Sequence, residues 1–268
     1  MQSAAIVKSI GSCGTAIGVR AAGHLDIAFR HMMRGPGARH HENFMCLVTG
    51  ELHPLGNVAI VSNPGNQDTT DAAIGPLLGS GLPAAVIYPR GVTDTEARSV
   101  TALGFEDHGA MPAMAVDIER MTATSLPSGY ECARIGTGTD GHTWAETLAV
   151  GYGLPQGLAR MFSPEALGAD MAPAAQTQFF AIRRNGQPVA TSLLHLADGL
   201  AGIYCVATLA EERGMGLGAH VTAEALRAAH QLGYRVGVLQ SSPVGHSVYL
   251  GLGFEDVGTV PMFVRMPA

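Results

Sequence analysis

Val206-Ala207-Thr208-Leu209-Ala210-Glu211-Glu212-Arg213-Gly214-Met215-Gly216-Leu217-Gly218-Ala219 is the stretch from which the rest of this chain can be read. An apolar strand ends, a short acidic turn follows, and Arg-Gly-x-Gly-x-Gly opens a segment of helical periodicity. Leu217, Val221, Ala225, Ala228 and Leu232 recur at spacings of three and four, which builds one apolar helix face. The first N–H groups of such a helix have no partner within it, and its dipole places partial positive charge there. Glycines let the backbone approach an anion closely, and Arg213 adds a fixed charge. A pyrophosphate is the ligand this arrangement suits.

The elements around this stretch follow from punctuation. Strands are predicted over 177–184, 187–195 and 200–209, joined by Asn185-Gly186 and Asp198-Gly199, which are hairpin turn pairs. A helix over 216–232 ends at Gly233. A strand over 236–240, a short helix over 246–252 and a last strand over 254–266 complete the C-terminal half.

An internal repeat sets the domain count. Ala102-Leu103-Gly104-Phe105-Glu106-Asp107 recurs 149 residues later as Gly251-Leu252-Gly253-Phe254-Glu255-Asp256, and Gly109 and Pro112 match Gly258 and Pro261 at the same offset. The expected organisation is two related units, residues 1–122 and 125–268, with two related sheets packed together. Where the first unit should carry Arg-Gly-x-Gly-x-Gly it has Pro64-Gly65-Asn66-Gln67-Asp68-Thr69-Thr70-Asp71, which lacks Arg and holds two acids that would repel a phosphate.

Arg213, Gly216 and Gly218 in this element order, followed by Ser241-Ser242-Pro243-Val244-Gly245-His246-Ser247-Val248-Tyr249-Leu250-Gly251-Leu252-Gly253-Phe254, resemble the GNAT superfamily of N-acetyltransferases. The resemblance is specific from about Gln178 to the C-terminus. It implies an α/β chain of two tandem GNAT-like mixed-sheet α/β/α domains, the first degenerate and lacking the CoA cradle. It also implies that Arg213, Gly214, Met215, Gly216, Leu217, Gly218 and Ala219 hold the pyrophosphate of acetyl-CoA as co-substrate. Backbone groups of Val206, Ala207 and Thr208 would hold the pantetheine arm, and an N–H of Val206 or Thr208 could polarise the acetyl carbonyl. Tyr249, just before Leu-Gly-Phe, matches the family's general acid, which protonates the departing thiolate. At the repeat offset its counterpart is Val100, which cannot transfer a proton. The implied activity is acetyl transfer to a primary amine of a small molecule; the alternative is a non-catalytic acyl-CoA-binding module.

The general base has no assignment. His246, His195 and Tyr204 are candidates, and Glu146 near Trp144 could line an acceptor pocket. A competing dinucleotide motif, Gly136-x-Gly138-x-x-Gly141, follows a strand carrying Glu131 and Arg134, unlike a central parallel strand. A Walker loop fails, because the only lysine is Lys8.

Composition narrows the partners. A net charge of −6 and a pI near 6.0 argue against nucleic acid. The mean hydropathy is +0.19, yet the most apolar stretches, 84–88 and 202–209, have strand length, so no membrane span is expected. The first twenty residues lack a signal-peptide pattern, and the four cysteines are far apart with no Cys-x-x-Cys, which fits a reduced cytoplasm. No metal spacing occurs, His40-His41 included. Charged residues make up 14%, against roughly 25% in ordinary domains, which suits two units sharing a joined core.

Overall fold

The computed structural model describes residues 5–267 except 64, 66 and 170. The N-terminal half runs α1 (Ile10–Cys13), α2 (Ala16–Met32), β1 (Ala38–His40), β2 (Phe44–Val48), β3 (Asn57–Val61), α3 (Gln67–Ser80), β4 (Ala84–Ile87), α4 (Asp94–Ala102) and β5 (Glu106–Asp117). The C-terminal half runs β6 (Tyr130–Ile135), α5 (Thr139–Tyr152), α6 (Gln156–Met161), α7 (Pro164–Leu167), β7 (Thr177–Arg184), β8 (Gln187–Ala197), β9 (Leu200–Thr208), α8 (Leu217–Gln231), β10 (Val236–Gln240), α9 (His246–Leu252) and β11 (Glu255–Arg265). The hairpin turns are as read: Asn185 and Asp198 have φ of 52° and 49°, each followed by a glycine with positive φ. That geometry matches the strand twist.

The two expected sheets are one. Eleven strands form a continuous sheet in the order β1-β2-β3-β4-β11-β5-β10-β9-β8-β7-β6. Each half surrenders its last strand to the other. β5 pairs antiparallel with β10, β11 pairs antiparallel with β4, and β5 and β11 pair with each other in the middle. Within each half the central pair, β3 with β4 and β9 with β10, is parallel.

Helices cover both faces. On one face α2 and α5 share a single apolar core that spans both halves, including Leu25, Met32, Val58, Ile87, Ala115, Trp144, Phe179 and Val238. The other face carries two cores, one under α8 and α9 and one under α3 and α4. The long helix α2 ties the halves together. It buries Ile17, Gly18, Ala21, Ala22, His24, Leu25, Ala28 and Met32, a stripe at helical spacing, and its small residues allow close approach to the sheet. It crosses the strands in turn, with Gly18 against β11, Ala21 accepting a 2.7 Å hydrogen bond from Gln240 of β10, and His24 over Gly202 of β9. Arg20 pairs with Asp198 in the β8–β9 turn at 3.0 Å.

A Cβ on Gly18 would stand 2.0 Å from the Val257 carbonyl oxygen. Backbone cannot yield as a side-chain tip can, so Gly18→Ala is expected to lower stability by about 3 kcal/mol, the upper end for overpacking. Denaturant unfolding of the pair of proteins measures it.

Candidate active site

The parallel strands β9 and β10 touch only at Gly237↔Ala201 and Val238↔Gly202, then separate. The cause is a bulge. Opposite Thr191 and Leu193 of β8, β9 spends one extra residue, and Cys205 takes φ of 52° to accommodate it. Thr191 Oγ1 fixes the bulge by donating to the Cys205 carbonyl at 2.8 Å. The result is a gap bounded by residues 203–208 on one side and the end of β10 on the other. In the N-terminal half β3 has no bulge and stays paired with β4 through Ile60↔Ile87, so the corresponding gap is closed.

β9 leads from this gap into α8. Gly214 and Gly216 have φ of 80° and 74°, and Gly216 caps α8 with no side-chain hydrogen bond to its first N–H groups. Residues 213–216 are exposed, Leu217 is buried, and Gly218 and Ala219 are half-buried. A Cβ on Gly218 would lie 3.6 Å from Thr208 Oγ1, so the helix start sits directly on the end of β9. Arg213 is not a free arm. It donates to the Thr208 carbonyl at 3.2 Å and to the Gly151 carbonyl at 2.9 Å, bracing β9 against the end of α5 while its charge stays beside the helix start. The nearby acid Glu212 is buried and held by Tyr130 of β6 and Arg184 of β7 at 2.5 and 3.0 Å, so its charge is answered by the neighbouring strands.

Two other glycine-bearing helix starts are filled. At α5, the Glu165 carboxylate accepts from Gly138 N–H at 2.7 Å, and a Cβ on Gly141 would come within 2.3 Å of it. The dinucleotide motif is thus occupied by the protein's own anion, and β6 is an edge strand paired antiparallel to β7. At α3, buried Glu96 accepts from Gly65 N–H at 2.8 Å, from Thr70, and from Thr93. Burial pushes its carboxyl up, but these hydrogen bonds outweigh that and hold it below its ordinary value. Of the motif expected there, Pro64 and Asn66 lie outside the described residues.

Tyr249 stands on the opposite wall, on α9, edge-on to Phe254 at 5.7 Å. Burial, and secondarily the nearby Tyr152 phenol, hold its hydroxyl well above the ordinary tyrosine value, so it keeps its proton at neutral pH. Tyr152 ends α5, next to Gly151, which abuts Ala207 and Thr208. Burial pushes the Cys205 thiol up to about 12, which leaves it protonated and a poor nucleophile.

The remaining candidates separate. His246 is bonded to Asp256 at 2.9 Å, and Glu146 points to solvent. His195 and Tyr204 are buried on the α2 face, together with a residue that no motif connects with them. His24 of α2 bonds Tyr204 Oη through Nδ1 at 2.7 Å. Gly202 makes this fit: a Cβ there would be 2.2 Å from the His24 ring. Among the described residues no group of three or more His, Cys, Asp or Glu could hold a metal, and no helix is long and apolar enough to cross a membrane.

Residues 154–254 match the family model described as Acetyltransferase (GNAT) family. The whole chain is similar in structure to a GCN5-related N-acetyltransferase from Kribbella flavida, with 20% identity, a TM-score of 0.63, and coverage of 93% of this chain and 95% of that one. A GCN5-related N-acetyltransferase from Sphaerobacter thermophilus gives 13% identity, a TM-score of 0.58, and coverage of 83% and 76%. A tandem GNAT protein from the clavulanic acid biosynthesis pathway gives 13% identity, a TM-score of 0.52, and 98% coverage of both chains. No curated protein sequence matches. Residues 154–254 thus resemble the GNAT family, and the chain has the fold of two tandem GNAT-like units. The family's general chemistry is acetyl transfer from acyl-CoA.

Burial keeps His24 and His195 neutral, with pKa values lowered to about 4 and about 3. Unfolded, both take protons near pH 6.5. Between those limits acid favours the unfolded chain, so stability is full above about pH 6.5 and falls as pH drops. The expected slope is about 1.4 kcal/mol per pH unit for each histidine. Denaturant midpoints between pH 6.5 and 4.5 measure it, and His24→Phe should remove roughly half of the pair's contribution.

Proposed function

We propose that the chain is an acetyl-CoA-dependent N-acetyltransferase that acts on a primary amine of a small molecule, with one working site in residues 125–268. The observation that carries this reading is the contrast among three helix starts. Just before α3 and at the start of α5 the carboxylates of Glu96 and Glu165 accept from Gly65 and Gly138 N–H, whereas at the start of α8, exposed beside Arg213, no carboxylate does so among the described residues. An anion fits there and is already replaced at the other two. The first unit, residues 1–122, accordingly supplies structure rather than a second cradle.

In this reading residues 213–219 receive the pyrophosphate. The edge of β9 that has left β10, at Val206, Ala207 and Thr208, offers backbone groups to the pantetheine arm, and an N–H there can stabilise the developing oxyanion. The neutral amine attacks the thioester carbonyl. As the C–N bond forms and the C–S bond breaks, the nitrogen gives up a proton to a base or water chain, and Tyr249 Oη gives its proton to the thiolate sulfur. A phenol that stays protonated at neutral pH suits that role. The raised thiol of Cys205 makes direct transfer, rather than passage through an acyl-cysteine, the chemistry this gap supports.

Two substitutions test it in an assay of CoA release from acetyl-CoA with a panel of primary amines. Tyr249→Phe is expected to lower kcat about 100-fold with the acetyl-CoA Kd unchanged. Gly218→Asp places a carboxylate at the helix start and is expected to raise that Kd about tenfold or more. Absence of CoA binding would overturn the reading. Binding without turnover would make the protein a non-catalytic acyl-CoA-binding module.

A further inference from the structure

The gap has two faces. Tyr249 belongs to the α8–α9 side of the sheet, and Tyr204 to the α2–α5 side. Tyr204 lies on β9 immediately before the Cys205 bulge, in the segment that has parted from β10. Its hydroxyl is bonded at 2.7 Å to His24 Nδ1, and its ring is stacked on His24 at 6.0 Å. Both side chains are buried. The histidine comes from the N-terminal half, 180 residues away in sequence.

A polar row continues from this pair. His195 lies 6.1 Å from His24, ring to ring, and is oriented by Thr177 Oγ1 at 3.0 Å. His31, two turns further along α2, lies 5.0 Å from His195 and lines a cavity of about 240 Å³ together with Arg34 and Met161. The row therefore runs from the bulge to an opening at the seam between α2 and α6–α7. Nε2 of His195 is buried without a hydrogen-bond partner. An orphaned buried nitrogen is costly in a merely structural seam.

We infer that the N-terminal half contributes a catalytic base to the site in the C-terminal half: Tyr204, backed by His24, takes the proton of the acceptor amine. This rests on the acetyltransferase reading above. As the C–N bond forms, the nitrogen becomes acidic. Its N–H bond breaks and the proton goes to Tyr204 Oη, while the Tyr204 O–H proton passes to His24 Nδ1. His24 becomes an imidazolium, and no electrons are exchanged with any other group. Burial, the largest influence, and the Arg20 charge oppose that charged form, while the Asp198 carboxylate and hydrogen bonds to the carbonyls of Ala197 and Leu200 favour it. His195 and His31 mark the proton's way out to the cavity. The amine is thus deprotonated from one face of the sheet and the thiolate protonated by Tyr249 from the other, which keeps the acid and the base from neutralising each other.

The test uses the full chain, acetyl-CoA and the fastest amine of the panel. Tyr204→Phe and His24→Ala are each expected to lower kcat/KM about 100-fold with the acetyl-CoA Kd unchanged. Imidazole, added to His24→Ala, is expected to restore rate, whereas pyrazole, of the same shape but far weaker basicity, is expected not to. Rates within twofold of the parent in Tyr204→Phe, or equal rescue by the two rings, would overturn the base. A parent chain without turnover would overturn the acetyltransferase reading, and this inference with it. If His24→Ala fails to fold, Tyr204→Phe, which retains the ring, decides alone.

Discussion

The antiparallel ladder from Glu255↔Ala115 to Val264↔Glu106 joins β11 to β5 along the middle of the sheet. Everything else is arranged about it. Because each of these strands has its other edge bonded into the opposite half, neither half has a complete sheet of its own. The shared core under α2 and α5 follows from that ladder, since one helix can lie across strands of both halves only if they form one surface. The same arrangement brings His24 to β9.

The repeat preserves topology and changes chemistry. Both halves run strand, helix, strand, helix, strand through β3–α3–β4–α4–β5 and β9–α8–β10–α9–β11. In one, an unbulged strand and a buried carboxylate give a closed, self-satisfied helix start. In the other, one inserted residue at Cys205 opens the strands and the helix start is left to an outside anion. Glu96 sits on α4, the element equivalent to α9, whose residues in the open half include Tyr249. The change from a ligand-binding gap to a structural one thus needs few residues: a carboxylate supplied from the next helix and the loss of a bulge.

Much of this was legible in the sequence because it is local. Asn185-Gly186 and Asp198-Gly199 dictate their turns, the periodicity from Leu217 dictates α8, and Arg213 to Gly218 dictate an exposed glycine-rich helix start. The exchange of β5 and β11 was not legible. Their sequences match at Glu-Asp-x-Gly-x-x-Pro, and a shared pattern does not say which sheet a strand joins. Gly136-x-Gly138-x-x-Gly141 misleads for a related reason: what fills that helix start is Glu165, and the pattern carries no sign of it. His24 is an ordinary apolar-stripe position within α2. Only Gly202, an unexplained glycine in a strand, hinted that something approaches β9 closely, and nothing in the pattern named the visitor.

The exchanged strands also impose an order on assembly. The edge of β4 is made early, yet its partner is residues 255–265, the last strand of the chain. Meanwhile β5 is ready to pair before β10 has been synthesised. A chain growing from its N-terminus therefore carries an unfinished, apolar sheet edge until residues 255–265 have been made. Such edges invite pairing with other chains. The half that is made first is the half that is completed last, and its protection in the interval depends on how soon its final eleven-residue strand arrives.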